Sequence, residues 1–234
     1  MSKYQNLKQE VFAANLELVA RKLVIYTWGN VSIIDRELGV VVIKPRGIEY
    51  HDLVAEDMSV TDLEGNIIEG DLLPSVDLEI HLAIYKQFPA IKAIAHTHST
   101  YATAFAQARC DIPCLGTTHA DHFYGVIPCT RQLTPEEVAG EYEKEIGNVV
   151  VETFLERKID PMQVFGVNVA GHGPFTWGAT AGLAVENSVI LEELSKMALL
   201  TKQVNPNAPL LENYALDKHF LRKHGEGSYF YQSK

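Results

Sequence analysis

Residues 91–98 read Ile-Lys-Ala-Ile-Ala-His-Thr-His, and this stretch decides how the rest of the chain is interpreted. The apolar run from Ile91 to Ala95 predicts a buried β-strand that delivers His96 and His98. Alternate residues of a strand project from the same face, with their Cα atoms about 7 Å apart, so two imidazoles can converge on one ion. By itself a His-x-His pair is a weak indication of a metal site, because core histidines with satisfied hydrogen bonds also occur at strand ends.

A third imidazole is offered by His172, in the sequence Gly171-His172-Gly173-Pro174. The flanking glycines and the proline predict a tight turn that leaves the ring exposed just beyond a strand. Three neutral histidines suit zinc, and also manganese or cobalt, with one coordination position left for a substrate. Asp77 could add a carboxylate, although at the start of a predicted helix its ordinary role is to cap backbone amides.

Helices and hairpins alternate along the remainder of the chain without regular βαβ units. Helical spacing predicts an opening helix that stops near Arg21 or Lys22, and Thr134 followed by Pro135 predicts the start of another. Further elements are predicted as helices at 78–88, from about 100, at 180–202 and at 210–223, and as strands at 40–43, 58–62, 66–69 and 166–171. The predicted fold class is α/β, with one domain over residues 1–234 and a mostly antiparallel central sheet layered between helices.

The composition favours a globular protein that binds a small molecule. The 234 residues are 47% hydrophobic and 21% charged, and the formal net charge is -10. An acidic chain without clustered lysine and arginine argues against a nucleic-acid partner or an anionic membrane surface. No stretch approaches the roughly 18 apolar residues of a membrane span, and the odd set of Cys110, Cys114 and Cys129 fits a reducing compartment, so we expect a cytoplasmic protein.

Two short glycine-containing segments could bind an anion. Residues 27–32 (Thr-Trp-Gly-Asn-Val-Ser) and 44–47 (Lys-Pro-Arg-Gly) offer donors that can cradle a phosphate, or they are ordinary turns. His119 and Asp121 lie in a polar cluster that could transfer protons. Four histidines show no such clustering and are left without a functional role, with surface or interface packing as the favoured interpretation: His51, His81, His219 and His224.

Taken together, these segments resemble the L-ribulose-5-phosphate 4-epimerase family of the class II aldolase and adducin-head superfamily. The resemblance runs nearly end to end. It is carried by residues 27–32, 43–45 (Ile-Lys-Pro), 96–99 (His-Thr-His-Ser), 116–121 (Gly-Thr-Thr-His-Ala-Asp), 127–131 (Ile-Pro-Cys-Thr-Arg), 140–143 (Gly-Glu-Tyr-Glu), 172–175 (His-Gly-Pro-Phe) with 177–178, and 218–220 with 222–225. The number and order of these motifs make the resemblance specific.

The resemblance implies a class II aldolase-like fold, a homotetramer of fourfold symmetry with active sites between neighbouring subunits, and a sugar phosphate as substrate. His96, His98 and His172 would bind one divalent metal per subunit, zinc first and manganese or cobalt as alternatives, with Asp77 as a further ligand or close neighbour. Asp121 would be one acid/base group, and a tyrosine in the tail of the neighbouring subunit would be the other. The residues that would line the substrate are Gly29, Asn30, Lys44, Arg46, Gly47, Ser75, Val76, Thr117, Glu143 and His219.

The implied reaction interconverts L-ribulose 5-phosphate and D-xylulose 5-phosphate: the bond between carbons 3 and 4 breaks, the aldehyde fragment rotates, and the bond re-forms on the opposite face. The chain departs from the family pattern at three positions. Phe230 stands where family members have the catalytic tyrosine, so Tyr229 or Tyr231 would take that role, with Tyr229 favoured, or the second face would be served by another group. Arg46 and Val76 each replace a serine near the phosphate, and Arg46 could compensate through a bidentate contact.

Three alternatives stay open on the sequence. A class II sugar-phosphate aldolase would release the aldehyde, but such aldolases resemble each other in having a glutamate at the position of Asp77. A 4-epimerase of an unphosphorylated or differently substituted ketose would account for Arg46 and Val76. A metal-free scaffold, as in adducin heads, would have no need of the three histidines.

Overall fold

The computed structural model describes residues 2–225 and 228, which form one sheet with helices on both faces. The strands are β1 (Gly29–Asp35), β2 (Val40–Ile43), β3 (Ser59–Thr61), β4 (Ile67–Glu69), β5 (Ala93–Thr97), β6 (Gly166–Val169) and β7 (Gly173–Gly178). The helices are α1 (Gln5–Ala20), α2 (Leu78–Gln87), α3 (Thr100–Ala108), α4 (Thr117–Ala120), α5 (Pro135–Ala139), α6 (Tyr142–Glu156), α7 (Ala181–Val204) and α8 (Asn213–His224). Each element predicted from the sequence is present among these residues, with ends that differ by a few positions.

Among the described residues, the sheet has seven strands in the order β4-β3-β2-β1-β5-β7-β6, and each neighbouring pair is antiparallel. Strand β5 lies between β1 and β7, so its residues are paired on both sides. His96 is opposite Asn30 in β1 and opposite Phe175 in β7. The predicted α/β class, with a mostly antiparallel central sheet between helices, is confirmed.

Alternation of side chains along the strands divides the core into two layers. Ala93 and Ala95 of β5 pack with residues of α1, on one face of the sheet. Ile94 packs with residues of α2 and α6, on the other face. Because a strand repeats every two residues, His96 projects to the same side as Ile94, toward α2.

Two strands and one helix break were not predicted. Residues 27–32, expected to form a loop, lie partly in β1, which begins at Gly29. The turn around His172 continues directly into β7, which begins with a glycine and a proline, residues that are rare inside strands. The helix that Thr134 caps, as predicted, extends only over Pro135–Ala139, and α6 begins separately at Tyr142.

The composition predicts a chain with no membrane span and with unpaired cysteines. In the part of the chain that the structure describes, no helix combines the length and the apolar character needed to cross a membrane. Cys110, Cys114 and Cys129 are free thiols. Burial raises the pKa of the Cys114 and Cys129 thiols to about 11, so both are neutral side chains at physiological pH.

Candidate metal centre

His96, His98 and His172 meet at the carboxyl end of β5. His96 lies near the end of β5 and His98 just after it, while His172 lies in the turn between β6 and β7. The Nε2 atom of His96 lies 3.1 Å from Nε2 of His98 and 3.1 Å from Nε2 of His172. In each pair the ring centroids are 4.9 Å apart, so the three rings surround a common point.

The spacing of these nitrogens fits a divalent cation. A tetrahedral zinc ion with bonds of about 2.0–2.1 Å places its nitrogen ligands about 3.3 Å apart. His96 Nδ1 donates to the carbonyl oxygen of Pro174 at 2.9 Å, which leaves the Nε2 lone pair directed at the common point. Among the described His, Cys, Asp and Glu side chains, these three form a group whose ligand atoms all lie within 4.8 Å of one another. The residues present therefore fit a divalent cation that prefers imidazole nitrogens, such as zinc.

Burial keeps the three rings neutral, which metal binding requires. Burial, together with the neighbouring His172 and His98, lowers the pKa of His96 well below its ordinary value. Burial also lowers the pKa of His98 and of His172, and the nearby Asp77 carboxylate opposes the shift in both. At neutral pH the rings therefore present lone pairs, rather than protons, to a cation.

Behind the three histidines lies a buried aromatic and polar layer. The Phe175 ring stacks on that of His96 with centroids 4.1 Å apart, and His81 meets Phe175 edge-on at 5.9 Å. His81 Nδ1 is hydrogen-bonded to Ser32 Oγ at 2.7 Å, and the Ser32 hydroxyl also bonds to Tyr85. The expectation that His81 packs at a surface or interface is wrong: it is 0% exposed, because it lies on the face of α2 that packs against the sheet.

Asp77 precedes α2 but does not cap it. Its backbone is helical (φ −71°, ψ −2°) and its side chain makes no capping hydrogen bond. Instead, the carboxylate accepts hydrogen bonds from Asn30 Nδ2 at 2.7 Å and from Ser75 Oγ at 3.3 Å. The capping interpretation of Asp77 is therefore wrong. The carboxylate acts on the pKa of both His98 and His172, so it lies near the histidines, although it is outside their 4.8 Å group.

The two glycine-containing segments are joined through Tyr50. The Tyr50 hydroxyl donates to the carbonyl oxygen of Gly29 at 2.8 Å, and the Lys44 ammonium lies 4.9 Å from the centre of the Tyr50 ring. Lys44 Nζ donates to the carbonyl oxygens of Pro45 at 3.3 Å and Ile48 at 2.7 Å, and burial lowers its pKa. Lys44 is only 2% exposed, so its ammonium group stabilises the loop over residues 44–48 and does not face solvent.

The loop that carries Arg46 and Gly47 lies against the segment that leads to α2. Two backbone hydrogen bonds, of 3.0 and 3.1 Å, join residues 44–46 to residues 73–75. Arg46 is exposed and Val76 is 52% exposed. Gly47 has a φ of +74°, with open space around its Cβ position. Arg46, Gly47 and Val76 thus form an exposed surface with one positive charge, next to the buried Ser75.

Asp121 follows the short helix α4 and is held by α8. Its carboxylate accepts hydrogen bonds from His219 Nδ1 at 3.1 Å and from Arg222 Nη2 at 2.9 Å to each oxygen. Burial raises the pKa of this carboxyl, but the hydrogen bonds from Arg222 and His219 outweigh burial and the net shift is downward. Asp121 is therefore ionised at neutral pH. Its amide also donates to the carbonyl oxygen of Thr117 at 2.9 Å, so Thr117 belongs to the same cluster.

The remaining predicted site residues are not part of these clusters. Glu143 lies in the first turn of α6. Tyr229 lies outside the described residues, as do Phe230 and Tyr231. Within one chain, the predicted site residues thus form a metal-side group around the histidines, a loop over residues 44–47, and an acid/base group around Asp121.

Known proteins resemble this chain over most of its length. The profile of the class II aldolase and adducin N-terminal domain matches residues 9–199. The chain belongs to this family. It is 50% identical over 228 residues to the L-ribulose-5-phosphate 4-epimerase UlaF of Salmonella paratyphi C (strain RKS4594), an alignment that covers 97% of this chain and 99% of that protein. The L-ribulose-5-phosphate 4-epimerase UlaF of Salmonella choleraesuis (strain SC-B67) matches to the same extent.

Solved structures of the class II aldolase family share the fold. An L-fuculose 1-phosphate aldolase superposes with a TM-score of 0.80 and 26% identity, over 94% of this chain and 95% of that chain. L-Fuculose-1-phosphate aldolase from Thermus thermophilus superposes with a TM-score of 0.66 and 23% identity, over 88% and 98% of the two chains. The class II aldolase-like fold and the resemblance to L-ribulose-5-phosphate 4-epimerases are confirmed.

Class II aldolases depend on a divalent metal, and in this member of the family the three converging histidines are the residues that can hold it. Sequence patterns missed the buried partners behind them, Ser32, His81 and Tyr85. Asp77 and His81 are four residues apart at the start of a predicted helix, which places them on one helix face. That spacing is the signal that could have pointed to His81.

Proposed function

We propose that this chain is a metal-dependent 4-epimerase that interconverts L-ribulose 5-phosphate and D-xylulose 5-phosphate. The observation that carries the proposal is the 50% identity, over 97% of the chain, to a protein named L-ribulose-5-phosphate 4-epimerase. The converging histidines support a metal-dependent enzyme over a metal-free scaffold. Zinc is the proposed cation, since imidazole ligands suit it, with manganese and cobalt as alternatives.

His96, His98 and His172 would hold the cation, with Asp77 as a fourth ligand or close neighbour. When bound, a divalent cation supplies a Lewis acid that stabilises the negative charge formed as the bond between carbons 3 and 4 breaks. Asn30 would orient the sugar. Its amide nitrogen donates to Ser75 and Asp77, and its Oδ1 atom is buried without a partner among the described residues, so this oxygen can accept a hydrogen bond from a substrate hydroxyl.

Epimerisation needs proton transfer on both faces of carbon 4. Cleavage removes the proton from the hydroxyl on carbon 4, and re-addition to the opposite face returns a proton to the new hydroxyl. We assign Asp121 to one face, because its ionised carboxylate can accept a proton and is oriented by His219 and Arg222. Tyr229 is assigned to the other face, on the resemblance of the tail to its family.

The substrate phosphate is assigned to the open side of the loop over residues 44–47. Arg46 is exposed there, and a guanidinium group can form two parallel hydrogen bonds to a phosphate. Gly47 adds a backbone amide. Ser75 lies next to this loop, because its amide donates to the carbonyl oxygen of Lys44. Lys44 shapes the loop through its bonds to the Pro45 and Ile48 carbonyls. Thr117 and Glu143 are assigned to the same substrate site in the assembled protein.

We propose that the active unit is a cytoplasmic homotetramer with sites between neighbouring subunits. The proposal rests on the resemblance to the L-ribulose-5-phosphate 4-epimerase family, which implies that a tyrosine in the tail of a neighbouring subunit is the second acid/base group of each site. Light scattering after size exclusion should give a mass of four 26.0 kDa chains. A fully active monomer would contradict this arrangement.

Incubating the purified protein with L-ribulose 5-phosphate, with zinc and after chelation, tests the activity. We expect D-xylulose 5-phosphate to accumulate only in the presence of metal, as followed by carbon-13 NMR, and the His96→Ala variant to be inactive. An aldolase, the alternative suggested by the fuculose phosphate aldolase fold, would instead release dihydroxyacetone and glycolaldehyde phosphate. The epimerase proposal fails if the metal-loaded protein yields no D-xylulose 5-phosphate.

The exposed Arg46 and Val76 favour a second candidate, an epimerase of an unphosphorylated or differently substituted ketose. Comparing free and phosphorylated pentuloses with the Arg46→Ser variant separates the two. If Arg46 binds phosphate, the KM for the phosphorylated sugar should rise at least about tenfold, while turnover of the free sugar stays unchanged. A parent protein that prefers the free sugar, with kinetics insensitive to Arg46→Ser, would favour the second candidate.

A further inference from the structure

We propose that Glu192, in α7, is a positioning residue for the metal centre, because its carboxylate fixes the start of α3 and thereby the backbone that carries His98. The inference rests on the proposed metal-dependent function and adds to it a residue that makes no contact with the ion.

The Glu192 carboxylate takes the place of an N-cap on α3. Its Oε1 atom accepts the Tyr101 amide at 2.9 Å, and its Oε2 atom accepts the Ala102 amide at 2.9 Å. Ser99, the residue in the N-cap position, makes no capping hydrogen bond with its side chain. The first amides of a helix have no partner within the helix, and a negative charge near them is favourable. Glu192, from helix α7, therefore supplies the hydrogen-bond acceptors that the Ser99 side chain does not provide.

Helix α3 connects two of the three metal ligands. It begins at Thr100, directly after the His98-Ser99 segment, and near its other end the carbonyl oxygen of Ala106 accepts the amide of Gly171 at 2.9 Å. Gly171 immediately precedes His172. A shift of α3 would therefore move the backbone of His98 and of His172 together, whereas His96 is fixed by strand pairing on both sides.

Besides the Glu192 carboxylate, helix α3 has a contact at its first turn between the Tyr101 ring and the Lys196 ammonium, which lies 5.7 Å from the ring centre. The helix has nine residues, too few to be stable as an isolated helix, and the fully buried side chains it contributes are those of Ala102 and Ala106. Packing against α7 and against strands β6 and β7 therefore fixes its position. The two hydrogen bonds to Glu192 are the directional part of that packing, and they act close in sequence to His98.

Zinc affinity of the purified protein, measured by competition with a chromophoric chelator, tests the inference without using activity. The variants are Glu192→Ala, which removes both acceptors, and Glu192→Gln, which keeps one amide oxygen and the length of the side chain. Glu193→Gln is the matched control, because Glu193 is the next residue of α7 and is exposed. Circular dichroism establishes which variants keep the fold.

We expect Glu192→Ala to weaken zinc binding by about 10- to 100-fold, the range found for residues that orient metal ligands, with Glu192→Gln in between and Glu193→Gln unchanged. Zinc affinities of folded Glu192→Gln and Glu192→Ala within twofold of the parent would overturn the role of Glu192; if Glu192→Ala does not fold, Glu192→Gln decides. A parent protein that binds no zinc would overturn the proposed function and this role with it.

Discussion

The Gly29→Ala substitution should loosen both the fold and the metal centre, because Gly29 lies against the strand that carries His96. A Cβ atom at this position would lie 2.7 Å from the carbonyl oxygen of His96 and 2.7 Å from Cγ1 of Val24, whereas ordinary contacts begin at 3.4 Å. The backbone φ of +152° at Gly29 is also one that L side chains rarely adopt.

The two effects can be given magnitudes. Overpacking a core costs about 1–3 kcal/mol, and a disfavoured φ costs about 1–2 kcal/mol more, so the free energy of unfolding should fall by roughly 2–5 kcal/mol. The His96 oxygen is a backbone atom, so the clash cannot be relieved by a side-chain rotation. The two strands must instead move apart by about 0.7 Å, the difference between the 2.7 Å approach and a 3.4 Å contact. Zinc affinity should fall as well.

Gly39→Ala is the matched control. Gly39 has a φ of +67° but no atom within 4 Å of its Cβ position, so its substitution introduces the backbone strain without the clash. We expect it to lower the free energy of unfolding by about 1 kcal/mol and to leave zinc affinity unchanged. Urea denaturation and zinc titration of both variants would refute the reasoning if Gly29→Ala lost no more stability and no more zinc affinity than Gly39→Ala.

Three further substitutions test other parts of the structure. Lys44→Met should lower the free energy of unfolding by about 1–3 kcal/mol, measured in urea, because the Pro45 and Ile48 carbonyls lose their donor; unchanged stability would contradict the contact. The folded pKa of Asp121 lies below its unfolded value of about 3.9, so its contribution to stability is present above that pH and is lost as the pH falls through the folded pKa. Asp121→Asn should therefore lose less stability than the parent between about pH 5 and about pH 2, and equal losses would argue against the Arg222 contact. Thr134→Ala should lower the free energy of unfolding by about 1 kcal/mol by removing the cap of α5, whereas a neutral effect would mean that α5 contributes nothing to stability.

Part of the metal centre was predictable because some of its signals are local, and the family resemblance supplied the complete ligand set. Strand periodicity alone places His96 and His98 on one face, and the glycines around His172 predict a turn; the structure places all three rings around one point. The capping box at Thr134 was equally local, and both of its hydrogen bonds are present. The His96–His98 pair and the capping box are each set by neighbours in sequence, whereas the position of His172 depends on the pairing of β7 with β5.

Features set by distant residues were not predictable in the same way. The sequence around Asp77 favours a helix cap, but Asn30, 47 positions away, binds the carboxylate instead. His81 carries no clear signal on its own, yet Ser32, 49 positions away, gives it a buried partner. Gly29 was expected in a loop, although it begins a strand because β5 pairs with it. Tertiary contacts override local preference at these positions.

The sheet explains why a metal site is built from residues that are 76 positions apart in sequence. Pairing of β5 with β7 puts Phe175 opposite His96, and this register brings the preceding turn, with His172, to the end of β5. A slip of one residue would send His96 to the opposite face of the sheet, toward α1, so the buried Phe175 fixes the site as much as it fills the core. The orientation of the Asp121 carboxylate does not depend on the sheet, because Arg222 and His219 of α8 hold it by hydrogen bonds. The metal ligands and the proton-accepting carboxylate of the proposed chemistry are thus held by separate elements of the chain: the sheet holds the three histidines, and α8 holds Asp121.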